Sequence, residues 1–97
     1  MIVLLENDVY KLSAEENIEP DVYYLHFEYK LPTFTKSIYK SFIMQWLLIQ
    51  DELKDKGIEE VKSIIPIEDD KTQKWQLMFG FEERAIMDSC IIYGRTL

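Results

Sequence analysis

The 97 residues predict a single α/β domain of the α+β kind: a mixed, mostly antiparallel sheet of about five to six strands with one long and one short helix. Three observations lead there. The chain is long enough for one hydrophobic core and too short for two, and with 47% apolar and 13% aromatic residues it has ample surface to offset the entropy of ordering. A strand pattern, a long amphipathic helix and a second strand pattern succeed one another across residues 22–67, and that order makes a right-handed crossover between parallel strands the expected connection. Residues 69–97 then read as helix, glycine stop, strand, tight turn and strand.

In order, residues 2–5 form a short apolar run, Glu6, Asn7 and Asp8 are turn formers, and residues 9–12 return with Val9, Tyr10 and Leu12, so a hairpin is expected. Residues 13–21 (SAEENIEPD) are polar and acidic and close on Pro20, which reads as a loop or a single helical turn begun at Ser13. Residues 22–31 give the clearest strand. Tyr23, Leu25, Phe27, Tyr29 and Leu31 make one apolar parity, while Val22, Tyr24, His26, Glu28 and Lys30 turn polar towards the end. Pro32 ends it, and Thr33 or Thr35 is placed to cap the next helix.

Residues 34–56 are that long helix, with Phe34, Ile38, Phe42, Trp46, Ile49 and Leu53 at spacings of three or four and Tyr39, Ile43 and Leu47 in a row beside them. Lys54 and Lys56 suit the negative end of the helix dipole, and Gly57 is the natural stop. Residues 60–67 supply the next strand; Pro66 lacks an N–H, so pairing is expected to fail or splay there. Asp69 and Asp70 open a second helix over residues 70–79, stopped by Gly80, after which Phe81 is expected to fold back on Trp75 or Gln76. Residues 81–86 and 89–95 form the closing pair, and Ile91, Ile92 and Tyr93 are apolar on both parities, as an inner strand requires.

Net charge is −7, and it is uneven: residues 1–30 hold seven acids against two lysines, and residues 31–97 hold eleven acids against nine bases. That sign disfavours nucleic acid or an anionic membrane as partner, because neither gains counterion release. The lone Cys90 excludes an internal disulfide, which fits a reducing, cytoplasmic setting, and the apolar start is too short for a span and lacks a basic leader. With one His and one Cys, no metal site is assigned. Asp51, Glu52, Asp55, Glu59 and Glu60 alternate with lysines and read as a solvated, salt-bridged face. Cys90, on an apolar strand, reads as an inert small hydrophobe.

The element order from Val22 onward, with WQLMFGFE at residues 75–82 and a last strand ending in Tyr93-Gly94-Arg95, resembles the C-terminal half of the GCN5-related N-acetyltransferase (GNAT) fold. About three quarters of the chain is covered. The resemblance implies a pyrophosphate-binding turn at the start of the long helix, here Leu31-Pro32-Thr33-Phe34-Thr35-Lys36-Ser37, without the family's glycines or an arginine. Pro32 removes a donor and Phe34 adds bulk, while Thr33, Thr35, Lys36 and Ser37 remain as candidate anion contacts, with simple capping the preferred account. The family's usual general acid, a Tyr, corresponds to Gln76, which cannot give up a proton, and its Asn at the helix start corresponds to Asp70. Relative to a full family member, a strand and two helices on the acceptor side are missing ahead of the hairpin, so an acceptor groove is expected to come from a second subunit.

A retained framework lacking two chemical parts points to a non-catalytic acetyltransferase-like module without a cofactor, used for protein–protein contact through self-association or a larger assembly. Tyr39, Ile43, Trp46 and Leu47 widen the long helix beyond what a small sheet covers and are the expected contact residues. Small proteins of this type are similar to some encoded by tailed phages, as virion components or inhibitors of host machinery. The alternative is a minimal N-acetyltransferase using acetyl-CoA, with Tyr24, His26 or water moving the proton; a half-buried or surface role is the commoner one for such a histidine. An acidic mimic of nucleic acid is a third reading. The deciding feature is whether a V-shaped gap opens between the strands ending at Leu31 and Ile67.

Overall fold

The computed structural model describes residues 1–33 and 35–97. Its elements in chain order are strands β1 (Ile2–Glu6), β2 (Tyr10–Glu19) and β3 (Val22–Tyr29), helix α1 (Lys36–Asp55), β4 (Glu60–Pro66), helix α2 (Asp70–Met78), β5 (Glu82–Ile86) and β6 (Cys90–Thr96). The six strands form one sheet in the order β1-β2-β3-β4-β6-β5. All neighbours are antiparallel except β3 and β4, which are parallel and joined through α1. This is the small mixed α+β domain expected, and β6 is an inner strand. Among the described residues no helix is long and apolar enough to cross a membrane.

Each helix has a readable start and stop. Thr35 Oγ1 accepts from the Ile38 amide at 3.2 Å, and Asp69 Oδ1 from the Thr72 amide at 3.1 Å. Both helices end on a left-handed glycine, Gly57 at φ 86° and Gly80 at φ 83°. In each case the next residue donates back across the last turn, Ile58 to Leu53 O and Phe81 to Gln76 O, the six-to-one bond that goes with a glycine stop. The Phe81 ring also reaches the other helix. It stacks on Trp46 of α1 at 5.9 Å, because the core lies there.

Both helices cover the same face of the sheet. Phe27 of β3 meets Phe42 of α1 at 5.0 Å, Trp75 of α2 at 5.6 Å and Phe79 at 6.1 Å. Tyr10, Leu12, Ala14, Leu25, Val61 and Leu53 complete a continuous buried core beneath them. The opposite face carries Val3, Tyr24, Lys62 and the half-exposed Ile64.

Three expectations need correction. Residues 13–21 are not a loop: β2 runs to Glu19, pairing with β1 at Ile2↔Ala14 and with β3 from Tyr10↔Tyr29 to Glu15↔Tyr24. Neighbours on both sides supply the ladder as far as Ala14, and Ser13 and Ala14 are buried there, so tertiary pairing overrides local polarity. The irregular part is confined to a register shift between Glu15 and Glu19, with Asn17 at φ 65°. Second, pairing does not fail at Pro66 on the β6 side, where it reaches Pro66↔Cys90. The Ile67 amide donates to Ser89 O at 2.9 Å, so by strand alternation the missing N–H of Pro66 faces away from β6, where no donor is needed. Third, Trp46 is not part of an outward helix face; it is 2% exposed. The expected helix start at Phe34, and the bulk of Phe34 in the turn before it, lie outside the described residues.

Candidate functional site

β3 and β4 pair over three residues only, Val22↔Glu60, Tyr23↔Val61 and Tyr24↔Lys62. Beyond that point β3 continues to Tyr29 and β4 to Pro66 with no ladder between them. The strands part in a V, and the wedge holds a cavity of about 210 Å³. Its apolar wall includes Leu25 and Phe27 from β3, Ile65 from β4, Phe42 and Trp46 from α1, and Phe81. Its polar lining is His26, Ser63, Asp69, Thr72 and Gln76. The volume is below the roughly 300–1,000 Å³ of pockets that enclose a whole small ligand, so it suits a slender chain better than a nucleotide.

At the centre of the polar lining Ser63 Oγ donates to Gln76 Oε1 at 2.6 Å, and both residues are buried. Gln76 projects there from α2 and Ser63 from the covered parity of β4, between Val61 and Ile65. The Gln76 Nε2 has no hydrogen-bond partner among the described residues. Trp46 Nε1, on the same wall, is the one fully buried side-chain polar atom among them without a partner.

His26 enters the lining from β3, half-exposed, with Nε2 2.8 Å from Glu15 Oε1 on the adjacent strand. The two are diagonal neighbours on the uncovered face, since Glu15 pairs with Tyr24 and His26 with Ser13. Tyr24 does not join the cavity lining. Its hydroxyl donates to Glu19, and that bond, helped by burial, pushes its pKa up to about 12, while the same bond and one from Lys62 hold the Glu19 carboxyl below its usual value. A phenol so shifted is a poor source or sink of protons near neutrality. Tyr93 likewise lines no part of the cavity; burial and nearby Glu83 raise its pKa.

The two helix starts stand at the open end of the V, because α1 comes after the C-terminal end of β3 and α2 after that of β4. Asp69 and Thr72, at the start of α2, reach the cavity; Thr33, Thr35, Lys36 and Ser37, at the start of α1, are exposed and do not line it. Thr35 is spent on its own helix, accepting from Ile38 N through its hydroxyl and from Tyr39 N through its carbonyl. Thr33 O accepts from the Tyr29 hydroxyl. No acid stands in the first turn of α1 to offset its positive dipole end. Of the expected contact residues, Tyr39 stacks on Phe79 at 5.9 Å, Ile43 packs half-buried on the core, and only Leu47 is largely exposed. Ser63, Glu15, Asp69 and Thr72 are site residues that the sequence reading misses. A polar residue on the otherwise apolar parity of β4 is the available signal for Ser63.

No protein-family model and no curated protein matches the chain. Solved structures do. The PaiA N-acetyltransferase of Thermoplasma acidophilum, determined with coenzyme A, aligns with TM-score 0.73 and 18% identity over 92% of this chain and 54% of its own. The GNAT domain of S. lividans PAT gives 0.71 and 10% over 92% and 54%. The ribosomal-protein-S18-alanine N-acetyltransferase of Escherichia coli gives 0.61 and 14% over 91% and 61%. The chain thus spans a little over half the length of these proteins. At such identities the likeness concerns architecture: this chain has a GNAT-like fold.

Proposed function

We propose that the chain binds acetyl-CoA with its acylated end in the gap between β3 and β4, and that it acts as a minimal N-acetyltransferase. One observation carries the reading: the strands part after Tyr24 and Lys62, over a cavity of about 210 Å³ narrow enough for a thioester arm. The coenzyme A in the Thermoplasma structure supports it. When bound, acetyl-CoA supplies an acetyl group activated as a thioester. Transfer to an amine forms a C–N bond, breaks the C–S bond, releases a proton from nitrogen and returns one to sulfur. His26, steadied by Glu15 at 2.8 Å, stands at the gap to take the first proton. Gln76 cannot deliver the second, which comes from water. The start of α1, with its free amides and Lys36, receives the phosphates outside the cavity.

Calorimetry with acetyl-CoA tests this directly. Micromolar binding weakened by Lys36→Glu is expected; no binding at millimolar ligand overturns the reading. Turnover of an amine lost in His26→Gln, with acetyl-CoA affinity unchanged, separates the histidine's role from binding.

A second reading, a non-catalytic assembly module, is favoured by Met44, Leu47 and Leu48, exposed at 69%, 54% and 61% along α1. It expects a concentration-dependent dimer in sedimentation that Leu48→Glu abolishes, and no turnover of any amine.

A further inference from the structure

We propose that the side-chain amide of Gln76 is a preset hydrogen-bond donor for the carbonyl oxygen of a thioester bound in the gap, and that Ser63 is the residue that sets it. The proposal rests on the acetyl-CoA reading above and adds to it the way the acyl group is recognised.

A primary amide carries two N–H donors on one side and a carbonyl acceptor on the other, and a free one presents either. Gln76 is not free. The Ser63 hydroxyl has one proton and gives it to Gln76 Oε1 at 2.6 Å. With the oxygen so engaged, the NH₂ group is turned away from Ser63. Gln76 is only 6% exposed, and its Nε2, which has no protein acceptor among the described residues, is not sealed from the cavity. A donor so placed is completed by water or by a ligand that enters. Trp46 adds a second unpaired donor on the same cavity wall, while Oδ1 of the Asp69 carboxylate accepts from the Thr72 amide. The cavity therefore has donors to offer.

That surplus defines the ligand atom. An ammonium group brings donors of its own and cannot accept from Gln76 Nε2 or Trp46 Nε1. A phosphate brings charge into an enclosure walled by Leu25, Phe27, Phe42 and Phe81, where desolvation outweighs one or two hydrogen bonds. A neutral carbonyl oxygen brings an acceptor without charge. Ser63 then has a positioning role, which accounts for a hydroxyl on β4 between the buried Val61 and Ile65.

The test is side-chain amide NMR on the ¹⁵N-labelled full chain with three ligands: acetyl-CoA, CoA, and the S-ethyl thioether of CoA, in which a methylene replaces the carbonyl. All three are expected to shift backbone amides of β3 and β4. Only acetyl-CoA is expected to move the Gln76 NH₂ protons downfield and slow their exchange. Gln76→Glu keeps an acceptor for Ser63 but turns a carboxylate oxygen inward; it is expected to weaken acetyl-CoA about tenfold relative to CoA. Ser63→Ala is expected to lower the same affinity ratio several-fold, and as a ratio measured on one protein it does not depend on the fraction folded. If all three ligands bind and move Gln76 alike, or if Gln76→Glu leaves the ratio unchanged, the donor role is wrong while the gap remains the site. If no ligand shifts any backbone amide, the acetyl-CoA reading fails and takes this proposal with it.

Discussion

The two faces of the sheet are built from different materials. Under the helices lies a continuous aromatic and aliphatic core, where Phe42 alone touches Tyr10, Phe27 and Phe79 with ring centroids 5.2, 5.0 and 4.6 Å apart. Across the other face runs a chain of charges drawn from three strands: Glu82 to Arg84 at 2.8 Å, Arg84 to Glu60 at 3.1 Å, Glu60 to Lys62 at 3.8 Å and Lys62 to Glu19 at 3.3 Å. Apolar burial stabilises by about 25 cal/mol per Å², whereas an exposed ion pair contributes roughly 0–1 kcal/mol. The first face holds the protein together, and the second fixes how strands and side chains are arranged.

The largest expected effect is on the covered face. Phe42→Ala should lower unfolding free energy by about 3–5 kcal/mol in denaturant titration, the range for a large buried ring; a loss below about 1 kcal/mol would remove the contrast between faces. Next come the glycine stops. Gly80→Ala forces a Cβ into left-handed backbone and onto the Arg95 guanidinium, whereas Gly57→Ala meets open space. Both should cost about 1–2 kcal/mol for the backbone conformation, and Gly80→Ala more, with the Arg95 bonds to Gln50 and Gly80 O disturbed. Equal costs would mean that Arg95 simply moves aside.

On the charged face Arg84→Gln should cost under about 1 kcal/mol, and the difference from the parent should shrink as salt is added. Tyr24→Phe removes the hydroxyl bond to Glu19 and alters the alkaline limb. The folded Tyr24 pKa is raised from 10.0 to about 12, so the unfolded chain releases its proton first as pH rises. The stability from this group is complete below pH 10.0 and is lost towards about 12. The phenylalanine variant should therefore show a shallower fall in stability over that window. Glu19, lowered by the same bond, works in the opposite sense: its contribution is present at neutral pH and is lost as acid titrates it.

Much of the architecture is legible in the sequence because local and tertiary preferences agree. The alternating parity of β3, the three-and-four spacing of α1 and the two glycine stops each state one requirement of the chain, and the structure honours all of them. The misreadings share one cause. In β2 the run SAEENIE looks like a surface loop, and only the neighbouring strands make it a strand. Trp46 lies on an aromatic helix face too wide to divide by eye, and its inward turn depends on Phe81 arriving from a distant segment. Pro66 is the local breaker and draws the eye as the place to splay, while the gap opens where two strands diverge in space. Gln76 is visible as the wrong residue for proton transfer. Its partner Ser63 is not, since a hydrogen bond between residues thirteen apart belongs to the fold and not to either segment.

The brevity of the β3–β4 seam also bears on how the molecule opens and folds. Three residue pairs are the whole ladder between an antiparallel block of β1, β2 and β3 and another of β4, β6 and β5. Those pairs join segments separated by all of α1, so closing them requires a long chain excursion, whereas the β1-β2-β3 block is assembled from consecutive strands, and the other block closes β4 onto β6 across α2. Hydrogen exchange should accordingly resolve two cooperative units. The amides of the seam are expected to exchange by a lower-energy opening than the centres of β2 and β6, and a single protection level across all six strands would show that α1 welds the blocks into one.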